Sequence, residues 1–237
     1  MHFRIFLLAA LSCLVIGQTQ AQVPARRNVS QAGPVAPPNL ARDLKSLLRA
    51  IPKKQIRDLV HAYLLNDAEF QAVIRAINSI PAYRARQSLL NQPEVRQLIL
   101  WVGQQLLLSG AGSWEIVDDL EISIFNKYPY WAQTVQGIRG FQLELASIYP
   151  VELVRSLLES SGQQSPVLGE LWRRLLALKP AYERWLALPQ VRTVINRLGA
   201  LGVDLDGVDA IVRYQLGWSN ATFNSYPDYD YRNYPGF

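Results

Sequence analysis

The sequence has few of the side chains that form disulfides or bind zinc and haem. Its 237 residues include one cysteine, one methionine and two histidines. Met1, His2 and Cys13 all lie at the very start of the chain, so a chain without this stretch would keep only His61. Such a chain could form no disulfide, thiolate nucleophile, Cys/His zinc site or haem axial pair.

The chain is also poor in charge. Charged residues make up 18% of the sequence and hydrophobic residues 49%, whereas the usual charged fraction is about a quarter. This composition is typical of a globular protein rather than a disordered one. The length suits one large domain or two small ones.

The first 21 residues have the pattern of a secretory signal peptide. His2 and Arg4 form a basic start, and the apolar run from Ile5 to Ile16 is too short to cross a bilayer of about 30 Å as a helix. Thr19 and Ala21 place small residues before a cut at Gln22. The alternative is an uncleaved anchor, but polar residues follow at once, which favours cleavage.

The signal peptide predicts a secreted, extracellular protein. The sequons at Asn28 and Asn220 then become candidate glycosylation sites. The formal net charge of +5 falls to +4 when Arg4 leaves with the signal. Basic residues are interleaved with acidic ones, so nucleic-acid binding is not predicted. Peripheral association with an anionic membrane surface is compatible with the charge but not specified by it.

Three further regions follow the signal peptide. Residues 22–39 form a Pro-rich lead-in that is expected to be extended and flexible, and residues 217–237 form a Tyr-rich tail without apolar periodicity. Between them, residues 40–216 form a duplicated body, with repeat one at about 40–126 and repeat two at about 135–216. The duplication is visible in Pro81-Ala82-Tyr83, which recurs as Pro180-Ala181-Tyr182, and in Pro93-x-Val95-Arg96, which recurs as Pro189-x-Val191-Arg192.

Both repeats have the apolar period of helices rather than strands. Prolines precede the periodic runs, as expected near helix starts, and Asn66, Ser113 and Asp204 are candidate N-caps. Asn66 has an acid, Glu69, three residues later, which is the capping-box spacing. The sequence therefore predicts an all-α fold with six helices per repeat, at about 41–50, 53–65, 67–79, 81–90, 93–108, 113–126, 135–148, 150–160, 165–178, 180–187, 190–202 and 204–216.

The helices each have one apolar stripe and a polar back. A solid bundle of twelve helices should enclose at least one helix that is apolar all round, and only residues 98–108 approach that description. Twelve one-sided helices could instead close into a single-layered shell around an apolar cavity, which would need a ligand because an empty cavity forfeits dispersion contacts. Periodicity alone favours the ordinary bundle.

A string in the first repeat resembles the insect-allergen-related repeat family. It consists of Ile51-Pro52, then Tyr63-Leu64-Leu65-Asn66-Asp67-Ala68-Glu69-Phe70-Gln71, then Pro93-Glu94-Val95. The family includes cockroach group 1 allergens, insect gut microvillar proteins and butterfly nitrile-specifier proteins. The resemblance implies two repeats in a closed helical capsule around an apolar cavity that holds fatty acids or phospholipids. It also implies secretion, typically into the midgut lumen or at the microvillar surface.

The resemblance is weaker in the second repeat. There Leu158-Glu159-Ser160-Ser161-Gly162-Gln163-Gln164 stands where the Asn-Asp string would be expected. Nothing in the sequence locates a nitrile-specifier activity, so none is inferred for this chain.

Catalytic side chains are scarce. His61 lies near the edge of an apolar stripe and is predicted to be a surface or half-buried structural residue. Asp118, Asp119 and Glu121 are expected to be solvated at a helix start. The spacing of Asp204, Asp206 and Asp209 resembles a calcium loop but lacks the twelve-residue ligand pattern. We predict no catalytic residue, no metal site and no cofactor.

The sequence therefore predicts a secreted, non-catalytic lipid-binding protein with loose headgroup specificity. Tyr63 and Tyr182 could each offer a hydroxyl to a lipid carboxylate, although packing is the favoured role. The alternatives are an extracellular matrix protein that acts through its Tyr-rich tail, and an enzyme that depends on His61. The side chains expected to line the lipid cavity are Ile56, Leu59, Val60, Phe70, Val73, Ile74, Ile77, Val95, Leu98, Ile99, Val102, Val154, Leu157, Leu158, Val191, Val194, Ile195 and Leu198.

Overall fold

The computed structural model describes residues 39–109 and 135–219, and within these ranges all regular structure is α-helical. The all-α prediction is therefore confirmed. The signal peptide, both sequons, the lead-in before residue 39, the helix expected at 113–126 with Ser113 and its acidic residues, and the tail beyond residue 219 lie outside the described residues. No helix in the described ranges is both long enough and apolar enough to span a bilayer.

Eleven helices are found in the described residues, where eleven were predicted. Repeat one contributes α1 (Leu40–Leu48), α2 (Lys53–Asn66), α3 (Ala68–Ile77), α4 (Ile80–Leu90) and α5 (Pro93–Leu108). Repeat two contributes α6 (Gly137–Ile148), α7 (Val151–Gln164), α8 (Pro166–Leu176), α9 (Lys179–Leu186), α10 (Pro189–Ala200) and α11 (Leu205–Gln215).

Helix starts follow the sequence signals with one correction. Pro93, Pro166 and Pro189 are the first residues of their helices, where a missing backbone N–H costs nothing. Asp204 caps α11 as predicted, since its Oδ1 accepts the Gly207 N–H at 2.9 Å. The predicted cap at Asn66 was wrong: Asp67 is the N-cap of α3, and α2 runs through Asn66.

The two repeats pack reciprocally. The first helix of repeat two, α6, packs on α2 and α3 of repeat one, and the first helix of repeat one, α1, packs on α7 and α8 of repeat two. In addition, α10 packs on α3 and α4, and α5 packs on α8. Each repeat thus supplies the surface on which the first helix of the other repeat packs.

One helix is enclosed more completely than its sequence indicated. Five consecutive residues of α2, from Leu59 to Tyr63, are buried, so this part of the helix is covered on every side. By contrast, α5, whose residues 98–108 looked the most apolar, leaves Leu100, Leu107 and Leu108 exposed by 59%, 75% and 80%. Burial here follows the packing between repeats rather than local hydrophobicity.

Candidate functional site

The eighteen predicted lining residues come from helices of both repeats. Of the eighteen, none is exposed. Twelve are buried, and the other six keep partial exposure. The partly exposed side chains, which have surface left for further contact, are Ile56, Ile74, Ile99, Leu157, Val194 and Ile195.

The largest apolar cluster joins α2 and α3 of repeat one to α6 and α10 of repeat two. Phe70 packs against Phe141 with ring centroids 4.5 Å apart, and Tyr63 meets Phe141 at 5.3 Å. Leu198 of α10 belongs to the same buried set. The predicted residues of α2, α3 and α10 are therefore brought together, and a helix that the lining prediction omitted, α6, completes the cluster.

The second cluster is the counterpart of the first. It joins α1 and α5 of repeat one to α8 and the end of α11 in repeat two. Leu98 and Val102 were predicted, but Leu168, Leu171 and Leu175 of α8 were missed. The duplication carried the signal, because these three residues stand 98 positions after Phe70, Val73 and Ile77.

The Asn66–Gln71 part of the string closes the turn between α2 and α3. The Asp67 Oδ1 accepts the Phe70 N–H at 2.6 Å and so caps α3. The Asn66 amide donates to the Ala62 carbonyl at 2.8 Å, and the Gln71 amide donates to the Leu64 carbonyl at 3.0 Å. The Asp67 and Gln71 side chains satisfy backbone groups that helix ends leave without partners, at the start of α3 and the end of α2.

Two carboxylates of the same string also cap a helix of the other repeat. The second oxygen of Asp67 accepts the Gly137 N–H at 2.9 Å, and Glu69 Oε2 accepts the Ile138 N–H at 3.2 Å. Gly137 has a φ of 69°, and a Cβ added there would collide with the Glu69 carboxylate. The predicted capping box is therefore replaced by a contact between repeats, which we call the Asp67 junction (Tyr63, Asp67, Glu69, Gly137 and Glu144).

Both tyrosines considered for a headgroup donate to carboxylates of the protein itself. The Tyr63 hydroxyl donates to Glu144 at 2.5 Å, and the Tyr182 hydroxyl donates to Asp209 at 2.8 Å. Burial raises the pKa of both phenols, and the adjacent carboxylates raise it further. The two hydroxyl protons are thus held within the fold.

His61 is buried, with 3% of its surface exposed, so the expectation of a surface or half-buried position was wrong. It sits in the enclosed part of α2 because α2 is covered on more sides than its stripe suggested. Burial lowers the pKa of His61, Asp58 opposes this effect, and Arg57 adds to it. The imidazole is therefore neutral at neutral pH.

The aspartates near residue 204 have structural partners. Asp204 caps α11, while Asp209 accepts from Tyr182 and from the Arg213 guanidinium, the latter at 2.7 Å. Within residues 39–109 and 135–219, no cluster of three or more histidine, cysteine or acidic side chains could hold a metal ion.

The chain matches the model of a known protein family. The model described as insect allergen related repeat, nitrile-specifier detoxification, matches residues 39–209. The matched range runs from the N-cap of α1 into α11 and so spans both repeats. No curated protein matches the chain.

Proposed function

Because the chain belongs to the insect allergen-related repeat family, we propose that it is a secreted, non-catalytic protein that carries fatty acids or phospholipids. The lipid would lie in an apolar cavity between the two repeats, closed as a helical capsule. The midgut lumen or microvillar surface is the proposed location.

The burial of the predicted lining residues is the observation that carries this proposal. None of the eighteen side chains is exposed, although they come from helices of both repeats, and six of them remain only partly covered. An acyl chain would cover that remaining apolar surface, with a gain of about 0.8 kcal/mol per methylene buried. Affinity is therefore expected to follow chain length.

Headgroup selectivity is expected to be weak. The Tyr63 and Tyr182 hydroxyls already donate to Glu144 and Asp209, so neither is offered to a lipid carboxylate. A binding site without a dedicated polar partner separates ligands mainly by apolar area. Ligands with the same total acyl length are thus expected to compete on similar terms whatever their headgroup.

A non-catalytic role is supported by the position of His61. The imidazole is buried within α2, whereas a general base must come within hydrogen-bonding distance of a substrate proton. We expect His61→Gln to leave lipid content unchanged.

Solvent extraction of the purified protein followed by mass spectrometry tests the proposal. We expect acyl lipid to be recovered, and delipidation to lower the midpoint of thermal unfolding. Ile195→Trp, which adds bulk at a partly exposed inner position, should reduce the recovered lipid. Leu153→Trp on α7, where the side chain is 47% exposed, is the matched control and should not. No lipid, together with unchanged stability on extraction, would rule the proposal out.

The alternative is an extracellular matrix protein that works through the Tyr-rich tail, and the start of that tail is tied to the helical body. The Trp218 indole donates to the Leu175 carbonyl at 3.1 Å, and Arg155 donates to the Ser219 carbonyl at 3.2 Å. Deleting only residues 220–237 keeps these contacts. Loss of matrix binding with intact lipid content would favour this alternative.

A further inference from the structure

The outer face of α1 is exposed and carries only basic and neutral polar side chains. Arg42, Lys45, Ser46 and Arg49 are all exposed, and their spacing places them on one side of the helix. The opposite side is apolar, with Leu40 and Leu44 buried against the second cluster. We call Arg42, Lys45 and Arg49 the α1 basic face.

These charges are little compensated by neighbouring acids. Arg42 lies 3.3 Å from Asp43, whose side chain is only 14% exposed and also accepts from Ser165 at 2.7 Å. No carboxylate of the described residues forms an ion pair with Lys45 or Arg49. Among the described residues, the α1 basic face is therefore a surface of net positive charge.

The corresponding part of repeat two lacks this property. Residues 40–66 contain six basic and two acidic side chains, a net charge of +4, whereas residues 137–164 contain two basic and three acidic ones, a net charge of −1. Because α1 and α6 occupy equivalent places in the reciprocal packing, repeat architecture does not require the basic side chains. They are specific to one end of the molecule.

Exposed leucines stand close to the same end. The Asn39 amide, at the N-cap of α1, donates to the carbonyl of Ser109 at 3.3 Å, so the end of α5 meets the start of α1. Leu107 and Leu108, the last two residues of α5, are exposed by 75% and 80%. Basic side chains combined with exposed leucines suit the interface of an anionic membrane, whereas a nucleic-acid surface would not use the leucines.

We propose that the α1 basic face docks on anionic phospholipid surfaces, with Leu107 and Leu108 entering the interfacial region. The docking is independent of any lipid held between the repeats, and it orients one end of the molecule toward the bilayer. Its strength falls with added salt, because the attraction to the surface is screened within a Debye length.

Co-sedimentation of the purified protein with vesicles tests this proposal. Vesicles of phosphatidylcholine with about a third phosphatidylserine are expected to bind the protein, whereas pure phosphatidylcholine vesicles are not, because the attraction depends on anionic headgroups. The variant Arg42→Gln/Lys45→Gln/Arg49→Gln should bind the anionic vesicles roughly a hundredfold more weakly, since each basic residue at such a surface contributes about fivefold. Leu107→Ser/Leu108→Ser should mainly weaken the binding that survives high salt.

The matched control removes the same charge elsewhere. Arg96, Arg192 and Arg197 are exposed on α5 and α10, and Arg96→Gln/Arg192→Gln/Arg197→Gln should bind within about threefold of the wild type, because long-range attraction to a surface is screened beyond about 10 Å. An equal loss in both triple variants would mean that net charge alone acts, and would overturn the proposal. Equal binding to neutral vesicles, or tighter binding to duplex DNA than to anionic vesicles, would overturn it as well. Extracted lipid content should be unchanged in every variant, which separates this test from that of the carrier function.

Discussion

The first helix of each repeat packs on the other repeat, and these two contacts are built differently. At the Asp67 junction, repeat one supplies both caps of α6, since Asp67 accepts from Gly137 and Glu69 accepts from Ile138. At the opposite place, which we call the Ser165 junction (Ser165, Asp43 and Asn39), α1 has its own cap: Asn39 Oδ1 accepts the Arg42 N–H at 3.0 Å. Ser165 adds only a hydrogen bond to the Asp43 side chain.

The difference between the two junctions shows what the string from Tyr63 to Gln71 contributes to the fold. Gln136, at the N-cap of α6, makes no side-chain capping bond, so α6 depends on the other repeat for its start. The Asp67 and Glu69 carboxylates of the string from Tyr63 to Gln71 therefore join the two repeats. In repeat two, where the string is absent, the helix that packs there, α1, has a cap of its own.

The largest expected effect comes from Asp67→Ala. Asp67 is 8% exposed and serves two backbone N–H groups. Its loss should lower the free energy of unfolding by about 3 kcal/mol, combining a lost cap with an unsatisfied buried donor. Ser165 caps α8 by accepting the Leu168 N–H at 3.4 Å, and Ser165→Ala should cost about 1 kcal/mol, the value of an N-cap. Urea unfolding measures both.

An exposed cap provides the control for this pair. Asp204→Ala removes the cap of α11, where Asp204 is exposed, and should cost about 1 kcal/mol. Equal losses for Asp67→Ala and Asp204→Ala would mean that the contact with Gly137 adds nothing, and the Asp67 junction would then be an ordinary cap.

The next effect is expected to be larger in repeat two than in repeat one. In repeat two, Gly162 and Gly169 let α7 and α8 approach closely, and a Cβ added at Gly169 would lie 2.7 Å from the Gly162 carbonyl oxygen. Leu64 and Gln71 stand 98 positions earlier, joined by their hydrogen bond. Gly169→Ala should therefore cost about 2 kcal/mol through overpacking, and Gln71→Ala less than about 1 kcal/mol.

Gly103→Ala is the control for the glycine substitution. It lies within α5, and a Cβ there would meet nothing within 4 Å, so alanine should stabilise the protein by about 0.5–1 kcal/mol through its helix propensity. Urea unfolding of the three variants separates the effects. A stabilising Gly169→Ala would show that the helices can move apart at no cost.

The fold was more predictable from the sequence than the site. The helix period and the prolines located α2, α4, α5 and their partners in repeat two, because both signals act within a few residues along the chain. The Asp67 junction was not predictable in the same way. Its carboxylates contact residues about 70 positions away, and a local pattern such as a capping box cannot reveal a partner on another helix.

Burial was predicted least well where the packing is least local. His61 lies at the edge of the α2 stripe, and its burial comes from the fit between repeats. The buried leucines of α8 stand 98 positions after predicted residues of α3, so the duplication carries the signal for their burial. The exposed Leu107 and Leu108 had no signal at all, since their apolar character argued for burial.

A smaller effect is expected at the other end of the Asp67 junction. Tyr63→Phe removes the hydroxyl that donates to Glu144 and keeps the ring contacts with Phe70 and Phe141. The loss should be about 1.5 kcal/mol, the lower end of the range for a hydrogen bond to a charged acceptor, because this bond is only partly buried. Ser161, which stands 98 positions later, is the matched position, and Ser161→Ala should change stability by less than about 0.5 kcal/mol. If Tyr63→Phe also changes the free energy of unfolding by less than about 0.5 kcal/mol, the hydrogen bond from Tyr63 to Glu144 does not stabilise the contact between the two repeats.

The smallest effect is the pH dependence that His61 contributes to repeat one. Burial lowers the pKa of His61 below 6.5, so below pH 6.5 the unfolded state binds more protons than the folded state. The contribution of His61 is therefore fully present above pH 6.5 and is lost as the pH falls through the lowered pKa. At the corresponding position of repeat two, Glu159 is exposed and paired with Arg155 at 2.9 Å, where an ion pair adds little.

Urea unfolding measured between about pH 5 and pH 8, a range that spans the usual pKa of histidine, tests this contribution. As the pH falls, the free energy of unfolding should decrease more steeply for the wild type than for His61→Gln. Glu159→Gln should show the same pH dependence as the wild type. Parallel curves for the wild type and His61→Gln would mean that the folded protein accommodates the imidazolium, and that α2 is less firmly enclosed than the burial of residues 59–63 indicates.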